Sequence, residues 1–337
     1  MNLFYRDTST DICVIAEVGV NHSGNLSWII DLLPQLKDSG VDAVKLQVFT
    51  PEKYVVKSNV DRFNFLTKRT ISRTDFFRIL DFANQLNLPV FATPLTEDWV
   101  PFLVDNCTTV KVASGDFNFL PTLIPLLESH VNLILSTGAV SKEELVNFVT
   151  LALEIRGEKR LQDTVALLHC ISSYPPPLSE ANLNAITYIK SLTGLTVGFS
   201  NHFLHDSPIF CALALGARIF EIHVTDDRSR DDVRDHQLSR TPSELRELVF
   251  QLRQLNSALS AQEKEIQPSE AANRLLMRKG LVSTIDISKG EKFSVHNLGF
   301  ARPQTDLTSL DLKLVLNKKA TEFIPAHTSL HQHHLQV

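Results

Sequence analysis

GFSNHF at residues 198–203 and FEIHVT at residues 220–225 are the two stretches that decide the fold. Each begins in a short apolar run, typical of a buried strand, and each then places a histidine, His202 or His223, at the end of that run. A segment rich in alanine and leucine lies between them and is long enough for a helix. The pattern predicts a strand–helix–strand unit with one imidazole at the C-terminal end of each strand.

The positions of these two histidines suggest a binding site. Parallel α/β folds bind their ligands at the C-terminal ends of the strands. Two imidazoles at neighbouring strand ends are a suitable pair of ligands for one divalent metal ion. The residues alone also allow a plainer interpretation, in which two unrelated histidines lie near the rim of a barrel.

The same alternation of apolar runs and amphipathic segments extends through residues 1–259. Helical spacing of apolar residues is clear at 26–39, 74–86, 142–155, 183–192 and 242–259. Eight apolar runs are predicted strands: 12–16, 43–48, 89–92, 109–112, 132–135, 165–168, 196–199 and 218–222. Eight strand–helix units in about 250 residues predict a closed (β/α)₈ TIM barrel. An open doubly wound sheet is the alternative, but no GxGxxG motif follows the first strand.

Polar side chains collect at the predicted strand ends, as the barrel requires. Lys45 and Lys111 are the most informative, because each lies inside an apolar strand, where an unpaired charge is costly. Either lysine alone could extend its ammonium group to the surface. Two of them at one rim, beside several hydroxyl groups, favour a phosphate or carboxylate site.

Composition excludes several other classes of protein. The chain has 337 residues, 43% hydrophobic and 21% charged, which is typical of a soluble globular protein. Its net charge of −5 gives no overall attraction to nucleic acid or to an anionic membrane. No apolar run approaches the ~20 residues of a membrane span, and no signal peptide begins the chain, so we expect a cytoplasmic protein. The cysteines form no CxxC pair and are predicted to be reduced core residues: Cys13, Cys107, Cys170 and Cys211.

The character of the chain changes after residue 259. We predict a barrel domain at 1–259, a polar linker at 260–273, and a small β-rich domain of short strands and turns at 274–337. At roughly 60 residues the core of the small domain is marginal, so we expect it to pack against the barrel or a partner subunit. His331, His333 and His334 look like a metal cluster, but we expect them in a mobile terminal segment instead.

Several motifs, in collinear order, carry a resemblance to a known family. They are IAEVGVNHSGN (15–25), DAVKLQVF (42–49), KVASGDF (111–117), LLHCISSYPPPLSEANL (167–183), VGFSNH (197–202), EIHVT (221–225) and RDHQLSRTPSEL (234–245). Together they resemble the sialic acid synthases of the N-acetylneuraminate/nonulosonate synthase family, over nearly the whole chain. The resemblance implies a (β/α)₈ barrel followed by a small antifreeze-like SAF domain.

The resemblance also implies a reaction. Members of this family join phosphoenolpyruvate to an N-acylated mannosamine-type sugar, giving a nine-carbon 2-keto sugar acid and phosphate. His202 and His223 are implied to bind a divalent cation, commonly Mn²⁺, with Mg²⁺ and Co²⁺ as alternatives, which polarises the sugar aldehyde. Glu17 is implied to be the general base.

The remaining polar residues divide between the two substrates in the same resemblance. Positions implied to hold phosphoenolpyruvate are Lys45, Thr93, Lys111, Ser114, Ser172 and Ser200. Positions implied to lie near the sugar are Gln47, Asp116, Tyr174, Asp235 and Arg302. In the family, the arginine that corresponds to Arg302 reaches the sugar site of the other subunit in a domain-exchanged homodimer.

The chain departs from the family pattern near this site. Asp116 stands where a glutamate is usual, Asn201 replaces an aspartate and Ile222 a lysine, Ser172 stands where one branch has asparagine, and Val233 and Arg234 replace Gly-Pro. We expect N-acetylmannosamine as acceptor, with a 2,4-diacetamido-trideoxyhexose, leading to a legionaminic- or pseudaminic-type acid, as the rival. A non-catalytic sugar-phosphate-binding homologue is the alternative of another class.

Overall fold

The predicted barrel is present in the computed structural model, which describes residues 1–259 and 263–336. In that part of the chain, eight parallel strands pair in chain order, and the last closes the barrel by pairing with the first. A two-strand hairpin, β1 (Asn2–Leu3) and β2 (Arg6–Asp7), precedes the barrel. The barrel strands are β3 (Cys13–Gly19), β4 (Ala43–Val48), β5 (Val90–Pro94), β6 (Thr109–Val112), β7 (Asn132–Ser136), β8 (Val165–His169), β9 (Thr196–Asn201) and β10 (Ile219–His223).

Helices follow the strands, as the amphipathic spacing predicts. Side-chain caps mark where several of them begin. Asn25 accepts a hydrogen bond from the Trp28 N–H, and Ser141 forms a capping box with Glu144. The helices of the barrel unit are α1 (Leu26–Asp38), α2 (Pro51–Tyr54), α3 (Val60–Thr67), α4 (Arg73–Gln85), α5 (Val100–Asn106), α6 (Leu120–Glu128), α7 (Lys142–Arg156), α8 (Glu158–Thr164), α9 (Ala185–Thr193), α10 (Ser207–Ala214), α11 (Asp235–Leu238) and α12 (Pro242–Ala258).

Several strands continue further than their apolar runs predict. β3 ends at Gly19, β9 at Asn201 and β10 at His223, because backbone pairing continues after the side chains become polar. Glu17 and His223 are therefore partners in adjacent strands rather than residues of the loops beyond. A hydrophobic pattern does not mark the end of a strand whose last residues are buried and polar.

Helices α2 and α3 have no counterpart in the sequence-based prediction. α2 is a single turn that begins at a proline, and α3 buries only Leu66. Such short helices leave little apolar periodicity in the sequence. They are important for the site, because they directly follow the C-terminal end of β4.

The barrel unit, Met1–Ser260, has one hydrophobic core between the strands and the inner faces of the helices. Every residue of β8 and β10 is buried, as expected for parallel strands that are covered on both faces. Among the described residues, no helix combines the length and the apolar composition that crossing a bilayer requires.

The cysteines are free thiols, but one of the predicted core positions is wrong. Cys13, Cys107 and Cys170 are buried, whereas Cys211 is exposed. Helix α10 turns the opposite side, including Ile209, towards the core, which leaves Cys211 facing solvent. The apolar run around Cys211 gave no sign of this because its helix is short and almost uniformly apolar.

The second unit, Ala261–Val337, has its own small core of buried side chains, among them Leu281, Ile287 and Phe293. Its elements are α13 (Pro268–Met277), β11 (Gly280–Ser283), β12 (Leu298–Ala301) and α14 (Leu312–Val315). Helix α13 begins inside the segment that we predicted to be a linker, 260–273. The reason is local, since Gln267 and Glu270 form a capping box around Pro268. Residues 260–262 lie outside the described part of the chain.

The C-terminal histidines are held by contacts rather than lying in a loose tail. The Nδ1 atom of His331 is 2.7 Å from Asp306 Oδ1. His334 Nδ1 accepts a hydrogen bond of 3.0 Å from the His331 N–H, which leaves the ring proton of a neutral His334 on Nε2. That Nε2 lies 3.5 Å from Glu322 Oε1. The ligand atoms of Glu322, His333 and His334 lie within 4.8 Å of one another. The proton on His334 Nε2 favours a contact with the Glu322 carboxylate over a metal ligand at this atom.

The hydrogen bonds of buried Arg156 to backbone carbonyl groups provide a test of the barrel packing. Its guanidinium group donates to the backbone oxygens of Leu126, Leu127 and Val131 at 2.8 to 3.0 Å. We expect Arg156→Met to lower the free energy of unfolding by about 3 kcal/mol, because it leaves buried carbonyl groups without donors. Urea unfolding measures the change. Arg78→Met, at a side chain 67% exposed, is the matched control and should change stability little; equal losses in both variants would contradict the account.

Candidate active site

A cavity of about 610 Å³ opens at the C-terminal ends of the barrel strands. Most of the predicted site residues line it: Glu17, Lys45, Gln47, Thr93, Lys111, Ser114, Ser172, Tyr174, Ser200, His202, His223 and Asp235. Two do not belong to its lining. Asp116 lies in the turn after β6 with a half-buried side chain, and Arg302 is an exposed residue of the second unit.

Strand alternation explains why these side chains converge. Side chains two residues apart in a strand point to the same face. Lys45 and Gln47 of β4 therefore share the barrel interior, as do Glu221 and His223 of β10. Ile222, between the last two, belongs to the hydrophobic core instead.

Lys45 is the centre of a buried charge network. Its Nζ atom lies 2.9 Å from Glu221 Oε2 and 3.3 Å from Glu17 Oε2, and all three side chains are almost fully buried. Gln47 donates a hydrogen bond of 2.8 Å to the other oxygen of Glu17, and the Ser200 hydroxyl donates one of 3.0 Å to Glu221. The network fixes both carboxylates and the ammonium group in one arrangement.

The network shifts the pKa values of its members. Burial alone would lower the pKa of Lys45, but the carboxylates of Glu17 and Glu221 raise it above its usual value. Burial opposes ionisation of Glu221, yet the Lys45 and Lys111 ammonium groups hold its pKa below the usual range. Burial raises the pKa of Glu17. Lys45 and Glu221 therefore both stay ionised near neutral pH.

Lys111 differs from Lys45 because it has no carboxylate of its own. It is 1% exposed, and its Nζ atom donates to Ser136 Oγ at 2.5 Å and to Val112 O at 2.9 Å. Among the described residues no acidic side chain forms an ion pair with it. Burial lowers the pKa of Lys111 to about 8. A buried amine bonded only to neutral oxygens is suited to receive an anion from the cavity.

Hydroxyl groups and one glycine surround the same region. Ser114 Oγ accepts a hydrogen bond of 3.0 Å from the Gly138 N–H. A Cβ atom on Gly138 would lie 2.2 Å from Ser172 Oγ, so a larger residue there would displace the serine hydroxyl. Thr93 Oγ1 is buried and lacks a hydrogen-bond partner among the described residues. Such an orphaned hydroxyl at a cavity wall indicates that a ligand completes the site.

His202 and His223 have the chemistry of a metal-binding pair. Their ring centroids are 5.4 Å apart. His202 Nδ1 lies 2.8 Å from the Ile171 carbonyl oxygen, an acceptor that fixes the proton on Nδ1 and leaves the Nε2 lone pair free. Burial lowers the pKa of His202 to about 3, so the ring is neutral, the form that ligates. His223 Nδ1 is buried without a hydrogen-bond partner in the described chain and faces Asp235 Oδ2 at 3.9 Å.

Two groups of cavity residues were missed at the sequence level. Glu221 was not among the predicted site residues, although a carboxylate two residues before a candidate metal ligand was a usable signal. The residues after β4 were missed because α2 and α3 were not predicted. The cavity residues from this segment are Tyr54, Arg62, Phe65 and Leu66.

A closed (β/α)₈ barrel with buried lysines and a histidine pair around a cavity at its C-terminal end has the features of an enzyme active site. Comparison with known proteins agrees with this class. The NeuB family model matches residues 32–264, and the SAF domain model matches residues 278–336. The chain therefore belongs to the NeuB family, with a C-terminal SAF domain, which confirms the resemblance in the sequence motifs. Relatives in this family are named as synthases, so the chain is an enzyme of that kind.

Individual relatives match over nearly their full length. An N,N'-diacetyllegionaminic acid synthase of Campylobacter jejuni is 32% identical, over 92% of this chain and 96% of the relative. A pseudaminic acid synthase of the same organism is 29% identical, over 97% of each chain. The crystal structure of an N-acetylneuraminic acid synthetase from Leptospira borgpetersenii has a TM-score of 0.73 and 28% identity, covering 78% of this chain and 90% of that chain.

The position of Asp116 predicts a pH-dependent stability. Burial raises the pKa of Asp116 to about 6, above the unfolded value of 3.8, so its ionisation destabilises the folded state. The destabilisation caused by ionised Asp116 is absent below pH ~4, grows between pH ~4 and pH ~6, and is complete above pH ~6. We expect the melting temperature of Asp116→Asn to rise relative to wild type across this window. Thermal scans from pH 4 to 8 check it, with exposed Asp105→Asn as control; a difference that is constant with pH would refute the assignment.

Proposed function

We propose that this protein condenses phosphoenolpyruvate with an N-acylated hexosamine of the mannosamine type, giving a nine-carbon 2-keto sugar acid and inorganic phosphate. The observation that carries the proposal is Lys111, a buried amine without a carboxylate partner in the described chain, among the cavity hydroxyls. Phosphoenolpyruvate supplies the phosphate and carboxylate groups that such a site lacks.

The charge network suits the second end of the same substrate. Lys45 lines the same cavity as Lys111, and its ammonium group is fixed in place by Glu17 and Glu221, which balance its charge. Ser114, Ser172 and Thr93 supply hydroxyl groups that can donate to the phosphoryl or carboxylate oxygens. Fixed donors of this kind orient the enol carbon towards the acceptor without reorganisation during the reaction.

The proposed reaction forms one carbon–carbon bond. Carbon 3 of phosphoenolpyruvate attacks the aldehyde carbon of the open-chain sugar, water adds to carbon 2, and the resulting intermediate loses phosphate as the C–O bond breaks. Glu17 is the proposed general base that accepts a proton from the water. Its second oxygen is held by the Gln47 amide, which orients the carboxylate for that role.

A divalent cation, with Mn²⁺ as the first choice, is proposed to bind to His202 and His223. When bound, such an ion polarises the oxygen of the acceptor aldehyde. The neutral His202 ring, the unpartnered His223 Nδ1 and the nearby Asp235 carboxylate support this assignment. A homodimer in which Arg302 reaches the sugar site of the other subunit stays a prediction of the resemblance.

For the acceptor, we place the 2,4-diacetamido-trideoxyhexose ahead of N-acetylmannosamine. The reason is that relatives named for legionaminic and pseudaminic acids match 92% and 97% of the chain, at 32% and 29% identity. This reverses the order that we expected from the sequence motifs. The reaction is the same with either acceptor.

The direct test is phosphate release from phosphoenolpyruvate with Mn²⁺ and a panel of acceptors. The panel contains N-acetylmannosamine, its 6-phosphate and the diacetamido-trideoxyhexoses with the legionaminic and pseudaminic precursor configurations. We expect release that depends on one acceptor and stops with EDTA. His202→Ala and His223→Ala should each lower the rate by at least about 10³-fold, because either change removes a metal ligand.

Buried His236 provides the matched control. It lies on α11 outside the cavity lining and bonds to Thr225 Oγ1 at 2.7 Å. His236→Gln should keep most of the activity. Phosphoenolpyruvate binding without phosphate release for every acceptor would replace the proposal with the non-catalytic alternative. Near-normal rates in His202→Ala would remove the metal assignment alone.

A further inference from the structure

The cavity has two chemically different sides. Lys111 of β6 and hydroxyl groups from the loops after β6 and β8 form one side, where we place phosphoenolpyruvate. The other side continues outward from β4 and consists of Phe49, Tyr54, Arg62, Phe65 and Leu66, which we call the acceptor wall. The proposed function places phosphoenolpyruvate on the anion-binding side, so the acceptor wall remains available to the sugar.

The acceptor wall is mainly apolar and is built by packing among its own members. Phe49 and Leu66 are each 2% exposed and form its base. The Tyr54 ring lies 5.2 Å from the Phe49 ring, and two guanidinium groups lie over the Phe65 ring, Arg69 at 3.8 Å and Arg62 at 5.4 Å from its centre. Such contacts hold the aromatic side chains in fixed orientations.

The acceptor wall has few polar groups, and these are suited to hydrogen-bond an amide. Burial raises the pKa of Tyr54, although the nearby Arg62 guanidinium partly counteracts this rise. The hydroxyl of Tyr54 therefore stays protonated. Within the described chain, Arg62 forms no ion pair, and its donors are available to a neutral acceptor. One guanidinium group and one hydroxyl beside aromatic rings suit an acylamino group, with a carbonyl oxygen and a methyl.

We propose that the acceptor wall makes this enzyme selective for a sugar with a second acylamino group and a deoxygenated carbon 6. Arg62 and Tyr54 contact the additional acyl group, while Phe49 and Phe65 pack against methyl groups that a fully hydroxylated sugar lacks. This inference rests on the proposed function and adds the residues that select the acceptor.

A 6-phosphate sugar fits the acceptor wall less well. A phosphate group needs several donors or cations to offset its charge, and Arg62 is the only cation of the five wall residues. Beyond the acceptor wall, Asp232, Arg234 and Asp235 also line the cavity, so the carboxylates there outnumber the one guanidinium group. A hydroxyl group placed against Phe49 or Phe65 would lose its hydrogen bonds to water without gaining a partner.

The test compares kcat/KM for the preferred diacetamido-trideoxyhexose with kcat/KM for N-acetylmannosamine, in wild type, Arg62→Ala and Tyr54→Ala. We expect each variant to lower the ratio by about tenfold or more, the size typical for the loss of one specificity contact. The loss should come from a higher sugar KM, with the KM for phosphoenolpyruvate unchanged, because the variants remove binding contacts on one side of the cavity only.

Phe63 of α3 is the matched control, because it belongs to the same helix, lies outside the cavity lining and has Lys57 over its ring. Phe63→Ala should leave the ratio at the wild-type value. An unchanged ratio in both test variants, or a wild-type preference for N-acetylmannosamine or its 6-phosphate, would overturn the inference while leaving the condensation itself in place. Absence of phosphate release by wild type with every acceptor would remove the proposed function, and the inference with it.

Discussion

A buried ammonium group needs negative charge close by, and the two lysines inside this barrel satisfy that requirement differently. Lys45 is neutralised within the chain by Glu17 and Glu221. Lys111, equally buried, bonds only to a hydroxyl and a carbonyl oxygen among the described residues. Glu221 offsets part of the energetic cost of burying Lys111, and an anion that enters the cavity would offset more of it. The candidate site is organised around that difference.

The barrel provides the register that this arrangement requires. Glu17 pairs with Lys45 on one side and with His223 on the other, in adjacent parallel strands. The register of the strands thus brings the proposed base, a cation and a candidate metal ligand together. The loops and short helices after the strands carry residues that can differ without changing the barrel. The acceptor wall after β4 is one such group of residues. Under the proposed function, this division separates the reaction from the choice of sugar.

Much of the fold could be predicted from the sequence, because every barrel strand carries an apolar run and most barrel helices carry a clear apolar stripe. Lys45 and Lys111 were identifiable as site residues for the same reason, since a charge inside an apolar run is conspicuous. Their different partners were not predictable, because ion pairing depends on register between strands that are distant in sequence. Residues 51–67 were missed because a proline or a capping residue begins each of two short helices there. Helix α13 was missed because the polar residues and the proline before it were interpreted as a linker. Cys211 was misplaced because a uniformly apolar helix does not reveal its exposed side.

Calorimetric titration of phosphoenolpyruvate into wild type and Lys111→Met tests the central claim most directly. Methionine has a similar length without the charge, and no acidic partner is left unpaired by the change. The account predicts an affinity at least about a hundredfold lower, together with a melting temperature of the unliganded variant that is equal to or above that of wild type. Lys142→Met, at an exposed position on α7, should bind as wild type does. Unchanged affinity in Lys111→Met, or a marked loss of stability without ligand, would contradict the claim that Lys111 binds an anionic ligand.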